Sequence, residues 1–354
     1  MDRALQSELQ RLMDAAVADG SELGCQATLY RHGEIVADAF AGYCDPERTR
    51  KVDADTLFPV FSAGKAVAST ALNRLVGLGA LSYDTPVGDH WPEYAQNGKE
   101  STLVRHILNH TTGMRPRLPL PSVAALTDWQ HCCGIIAGLP PDWVPGTKTR
   151  YQSTSYTWLA GELIQRVSGR DLQEYLTREL LAPNGIDRLY FGTTAAAEAN
   201  LAQLQRGADL GKAKGSSIWD PVEDLLRHPA VRRACLPGFN CLTNARSLAR
   251  FYACLLDETF FSRDLLIQAT TLQRPAGDGI QLRPGVWELF GHGYVLSGPQ
   301  PDLGQVFGHA GYGGAEGLAD RKQGLAVAFT KNLLHGEQPL RNTICRLAGI
   351  PSHA

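Results

Sequence analysis

Ser62-Ala63-Gly64-Lys65 sets a hydroxyl and an amine three residues apart, a spacing that puts both on one face of a helix. The run Phe58-Pro59-Val60-Phe61 reads as extended, and Ala66 to Leu78 follows as a helix pattern closed by Gly79. The pair is therefore expected in the first turn of a helix. A lysine there is repelled by the positive end of the helix dipole. That repulsion, with partial burial, favours a neutral amine able to act as a base. The same helix end offers unpaired N–H groups to an oxyanion forming beside Ser62. Taken alone, the tetrad is better read as an N-capping serine beside a solvated lysine.

Two further groups of residues bear on that choice. Tyr151-Gln152-Ser153 follows Pro145-Gly146-Thr147 and precedes a helix pattern with Tyr156, Leu159, Leu163 and Val167 on its apolar face. Much later, Gly308-His309-Ala310-Gly311-Tyr312-Gly313-Gly314 closes a strand pattern. The order Ser-x-x-Lys, Tyr-x-Ser, His-x-Gly resembles the serine β-lactamase and penicillin-recognising superfamily, whose related elements include Ser-x-x-Lys and Lys-Thr-Gly. The tyrosine version is most similar to class C β-lactamases and family VIII carboxylesterases. The resemblance runs from about Gly24 to Asn332. It also takes in Asp55–Phe58, Ile107-Leu108-Asn109-His110-Thr111-Thr112-Gly113, Leu242–Phe251 and His309–Gly317.

Carried over residue by residue, the resemblance implies Ser62 as the acyl-forming nucleophile, with Lys65 and Tyr151 as its base system. A tyrosine titrates near pH 10 unperturbed, so as a base it needs a cationic neighbour. Which of the two takes the serine proton stays open. The implied oxyanion donors are the main-chain N–H groups of Ser62 and Tyr312. Ser153, His309, Ala310 and Gly311 are the implied substrate-binding positions, with Trp287, His292 and Tyr294 as candidate walls of an acyl pocket. The glycines around Tyr312 suggest close approach of a substrate to the strand. His110 reads better as a brace for its turn than as a proton carrier.

Two positions depart from the β-lactamase pattern. Ser153 stands where those enzymes carry Asn for the substrate amide, and His309 where most carry Lys for a carboxylate. Neutral imidazole is a poorer anion anchor. Both departures favour esters over β-lactams. The expected activity is a carboxylesterase that cleaves small acyl esters through an acyl-serine. An acyltransferase of secondary metabolism is the alternative with the same chemistry. A β-lactamase or D-amino-acid peptidase comes next, and a non-catalytic binding scaffold last. Position 60 is Val, so a Gly-x-Ser-x-Gly elbow is absent, and Gly64-Lys65 lacks the earlier glycine of a phosphate loop.

The positioning elements follow from patterning. Gln26–Tyr30 and Glu34–Phe40 read as strands joined by the Arg31-His32-Gly33 turn. Helical patterns, among them Tyr156–Val167 and Leu172–Leu181, alternate with loops rich in Pro and Gly through the middle of the chain. Thr243–Leu256 is a further helix pattern. Strand patterns return at Gly293–Leu296, Gln305–His309 and Leu325–Phe329 before a last helix, Gln338–Ala348. The expected fold is α+β and β-lactamase-like, an antiparallel sheet flanked by helices and built from both ends of the chain. The expected division is a sheet domain of residues 1–83 and 226–354 and an inserted, mostly helical domain of residues 84–225.

Composition narrows the classes. With 34 Lys and Arg against 36 Asp and Glu, the 354-residue chain carries a net charge of −2 and no basic excess for a nucleic-acid backbone or an anionic membrane. No apolar run approaches the roughly 18 residues that span a bilayer. The N-terminus reads as an amphipathic helix (Leu5, Leu9, Leu12, Met13), not a signal peptide. Eight scattered cysteines without a Cys-x-x-Cys pair suggest reduced core thiols and a cytoplasmic setting. His131-Cys132-Cys133 lacks a second ligand cluster, so no metal and no cofactor are expected, and the expected partner is a small ester.

Overall fold

The computed structural model describes residues 1–211, 217–273, 289–297 and 303–350. In chain order its strands are β1 (Gly24–Arg31), β2 (Glu34–Gly42), β3 (Phe58–Phe61), β4 (Leu189–Tyr190), β5 (Gln205–Arg206), β6 (Cys241–Thr243), β7 (Leu289–Phe290), β8 (Val295–Ser297), β9 (Val306–Ala310), β10 (Glu316–Asp320), β11 (Leu325–Lys331) and β12 (Leu333–Leu334).

The large sheet has the order β2-β1-β11-β10-β9-β8-β7 and is antiparallel. The two ends of the chain meet where β1 pairs β11, from Cys25 opposite Lys331 to Arg31 opposite Leu325. His32 and Gly33, both at positive φ (48° and 78°), make the tight turn between β1 and β2. Alternation along β11 divides the core. Leu325, Val327 and Phe329 pack with Leu9, Met13 and Ile344 from the helices Arg3–Ala18 and Pro339–Ala348. Ala326 and Ala328 face the opposite way, into the core that holds the helices Lys65–Gly77, Tyr156–Ser168 and Ala245–Leu256. Small residues let the last of these helices lie close to the sheet. A Cβ on Gly317 would fall 2.2 Å from the Tyr252 ring.

The extended run Phe58–Phe61 is β3, which joins β6 and β4 in a separate three-stranded sheet. The helix-rich stretch 84–225 thus sends out two short strands, β4 to β6 and β5 in parallel to β12. The expected helices at Ala66, Tyr156, Thr243 and Gln338 lie within a residue or two of those observed. Leu172–Leu181 departs: its α-helix covers only Leu172–Tyr175, and Leu176–Leu181 widens into a π turn.

β10 has no apolar pattern, because it buries two carboxylates. Asp320 accepts from the backbone N–H groups of Lys322 and Gln323 at 2.8 and 3.1 Å. Glu316 pairs with the Arg341 guanidinium at 3.2 Å beneath the final helix, the side chains only 2% and 10% exposed. Burial pushes the Glu316 carboxyl up to about 7, although Arg341 pulls it down. A carboxyl raised on folding destabilises the fold as pH climbs from its ordinary value through about 7. Arg341→Leu removes the counter-charge and should lower stability by about 3 kcal/mol at pH 8, less at pH 5, where Glu316 takes a proton instead. Urea unfolding at the two pH values checks this; equal losses would contradict it.

Candidate active site

The chain reaches Ser62 through a strained residue. Phe61 has φ 48° and ψ −124°, a conformation a bulky side chain rarely adopts, and it turns β3 sharply into the 3₁₀ turn Ser62–Gly64. Gly64 is required for packing, since a Cβ there would lie 2.5 Å from that of Cys241. The helix Lys65–Gly77 starts immediately after it, so the serine and the lysine occupy one continuous turn, as their spacing predicts.

Lys65 is 1% exposed. Its Nζ donates to Ser62 Oγ at 2.9 Å, to the Ser153 carbonyl at 2.7 Å and to the Gly238 carbonyl. Ser62 Oγ itself lies 3.5 Å from the Gly238 carbonyl oxygen. Three segments far apart in sequence therefore converge on one amine. Gly238 carries no side-chain signal, and sequence reasoning missed it. It is held by its own N–H on Thr157 Oγ1 at 3.1 Å, and a Cβ would strike that oxygen.

Tyr151 is half-buried, its ring centroid 5.0 Å from Lys65 Nζ. Phe290 lies parallel to the Tyr151 ring at 6.2 Å, and the His309 ring sits 6.0 Å away. His110 meets the same ring edge-on at 4.8 Å. Buried, and near Lys65 and His309, His110 has its pKa driven well below the ordinary value, so it packs as neutral imidazole. Its Nδ1 lies 3.4 Å from the Gln152 backbone nitrogen, bracing the Tyr151 loop.

The Ser153 side chain turns away from Lys65: its hydroxyl donates to the Pro116 carbonyl at 3.2 Å. His309 is buried, with Nδ1 2.7 Å from the Ala310 carbonyl oxygen. β8 pairs β9 only as far as Gly308, so Ala310 and Gly311 continue past the end of that ladder. The glycines here have a different cause from the one expected. A Cβ on Gly311 would lie 2.0 Å from the Val60 carbonyl oxygen, one on Gly313 2.3 Å from Leu334, and one on Gly314 1.9 Å from Gln338. They admit neighbouring protein, with β3 pressed backbone-to-backbone on this segment. Tyr312 is 36% exposed, and its ring meets Phe61 edge-on at 5.4 Å.

Trp287 lies outside the described residues. His292 stacks on Tyr83 at 3.8 Å, and Tyr294 shares a hydrogen bond with Thr70 at 2.7 Å; both are core residues. All eight cysteines are free thiols, and burial raises those at Cys132 and Cys345 to about 12, which leaves them inert. Among the described residues no group of three or more His, Cys, Asp or Glu could hold a metal, and no helix is long and apolar enough to cross a membrane.

The Beta-lactamase family model matches residues 9–348. The chain belongs to the Beta-lactamase family. This Beta-lactamase family member is 28% identical over 347 residues to "Esterase/beta-lactamase LipL" of Mycobacterium tuberculosis (strain ATCC 25618 / H37Rv), covering 90% of this chain and 80% of that protein. It is also similar, at 26% identity over 200 residues, to "Esterase EstB" of Burkholderia gladioli, a match to 52% of this chain and 50% of the esterase. A solved family VIII carboxylesterase superposes with a TM-score of 0.87 at 27% identity, over 99% of this chain and 98% of that one. A penicillin-binding protein homologue from Caulobacter crescentus gives 0.83 at 26% identity over the same shares. The fold is β-lactamase-like and the protein is a serine hydrolase.

Lys65→Ala should keep the fold and lower kcat/KM for any acyl substrate by at least about 1,000-fold. Lys65→Arg should not rescue it, since a guanidinium stays protonated and is too bulky for three oxygens placed around one nitrogen. Melting curves and turnover on one preparation check both, and substantial turnover in either variant would remove Lys65 from the chemistry.

Proposed function

We propose that the protein is a carboxylesterase that cleaves small acyl esters through an acyl-Ser62 intermediate. The observation that carries this reading is the 2.9 Å hydrogen bond between Lys65 Nζ and Ser62 Oγ, made within a buried oxygen cage. Ser62 Oγ attacks the ester carbonyl, and its proton passes to the Lys65–Tyr151 pair. The negative charge that develops on the carbonyl oxygen is met by the main-chain N–H groups of Ser62 and Tyr312. The pair then returns the proton to the departing alkoxide. In the second half-reaction water, deprotonated by the same pair, attacks the acyl-serine; the bond to Ser62 Oγ breaks, the pair returns the proton to that oxygen, and the acid leaves.

Ester rather than β-lactam substrates are supported by the two departures in the motifs. The Ser153 hydroxyl is already committed to Pro116, and His309 replaces an ammonium with imidazole. A β-lactam's amide and carboxylate each lose a partner, at about 1–3 kcal/mol apiece, or at least about 30-fold in rate together. The name of one relative, an esterase, and that of a superposed structure, a family VIII carboxylesterase, support ester hydrolysis, whereas the LipL name carries both activities.

With nitrophenyl butyrate and nitrocefin compared side by side, kcat/KM should favour the ester by that factor or more. A fluorophosphonate should label wild type stoichiometrically and leave Ser62→Ala unlabelled. Equal or better efficiency on nitrocefin would turn the reading to a β-lactamase, and full turnover by Ser62→Ala would end it. Adding a primary alcohol during ester turnover and measuring transesterified product separates hydrolysis from acyl transfer.

A further inference from the structure

Tyr312 contributes a backbone N–H to the oxyanion site proposed above, yet its side chain is also held at both ends. Its ring lies edge-on to Phe61, the strained residue immediately before Ser62, at 5.4 Å. Its hydroxyl accepts from Arg206 at 3.2 Å. The same guanidinium donates to the carbonyls of Leu210 and Gly211, at 3.0 and 2.9 Å, and to Glu223 at 2.5 Å. Glu223 is 1% exposed, so Arg206 neutralises a buried carboxylate that has strong reason to keep it in place. Four acceptors in a planar fork leave the guanidinium little freedom.

The backbone carries the linkage further. β5, which bears Arg206, pairs with β12, and Gly207 donates to the Leu334 carbonyl at 2.8 Å. The Leu334 side chain fills the space beside Gly313, and His335 N–H donates to the Gly313 carbonyl at 3.2 Å. The turn that presents the Tyr312 N–H is thus seated on β12 from below and tied to Arg206 by its phenol from the side.

We propose that Arg206, anchored by Glu223, is a positioning residue for the oxyanion hole: its hydrogen bond to the Tyr312 hydroxyl, with the Phe61–Tyr312 ring contact, sets the spacing of the Tyr312 and Ser62 N–H groups. This rests on the acyl-Ser62 reading. Among the described residues every guanidinium nitrogen of Arg206 already has an acceptor, so the network acts on the spacing of the donors and not on ground-state binding. Losing one donor outright from such a hole costs about 100- to 1,000-fold in kcat; loosening one costs a fraction of that.

Tyr312→Phe keeps the ring, the Phe61 contact and the backbone N–H, and removes only the link to Arg206. It should lower kcat for nitrophenyl butyrate by about 10-fold with KM within about twofold. Arg206→Gln should give the same split, and the double variant should be no slower than the slower single one. Inhibition by a small alkyl boronic acid, which forms a tetrahedral adduct on a serine oxygen, should weaken by the same factor as kcat/KM. Wild-type kcat in Tyr312→Phe, losses that multiply in the double variant, or an effect on KM alone would overturn the proposal. If Arg206→Gln fails to fold, Tyr312→Phe and the boronate decide. Ser62→Ala separates the two levels. Turnover there defeats the acyl-serine reading itself, whereas a dead Ser62→Ala beside a wild-type Tyr312→Phe defeats only the clamp.

Discussion

The buried amine of Lys65 is the constraint around which the candidate site is assembled. An amine so far from water is tolerable only if its polar hydrogens meet oxygens. Those oxygens come from the turn before its own helix, from the loop that carries Tyr151 and from the segment leading into β6. None of these segments could shift alone without stranding the amine or a carbonyl. The need to satisfy one buried group therefore brings Ser62, the Tyr151 loop and the Gly238 segment into register.

Steric contact governs the opposite wall. Phe61 holds a backbone conformation that opposes its own bulk, which is sustained because β3 is pinned between β6 and the Gly311 segment of the large sheet. Strain at the residue before Ser62 and close backbone contact beside Tyr312 belong to the same packing arrangement. The electrostatic side of the site and its steric side meet at Ser62.

Much of this was legible in the sequence, and the illegible parts share a cause. The helices that bear Lys65 and Tyr156 follow from apolar spacing, and the joining of the two chain ends in one antiparallel sheet follows from strand patterns. The Ser62–Lys65 contact follows from spacing on one helical turn. β10 was not legible, because Glu316 and Asp320 are polar letters whose burial is offset by Arg341 from the last helix and by the N–H groups of the turn that follows Asp320. Gly238 was not, because a carbonyl acceptor is the same in every residue. The roles of Gly311 and Gly313 depend on Val60 and Leu334, distant in sequence, so their need for a missing side chain could be guessed but not its reason. Phe61 gives no sign of its positive φ, since its residue type argues against one.

The contact of the Val60 carbonyl with Gly311 has an evolutionary reading. The proposed oxyanion donors, at Ser62 and Tyr312, lie two residues and one residue from a close main-chain approach that only glycine at 311 admits. That approach involves no side chain, and the Tyr312–Arg206 link acts on top of it. The fold can thus be divided into an inheritable reaction frame and a freely rewritable substrate surface. Solved structures named as a carboxylesterase and as a penicillin-binding protein homologue both superpose on nearly the whole chain with only about a quarter of their residues in common with it. Divergence of that depth is what such a division permits: a frame held main chain to main chain, on which side chains can be exchanged one at a time.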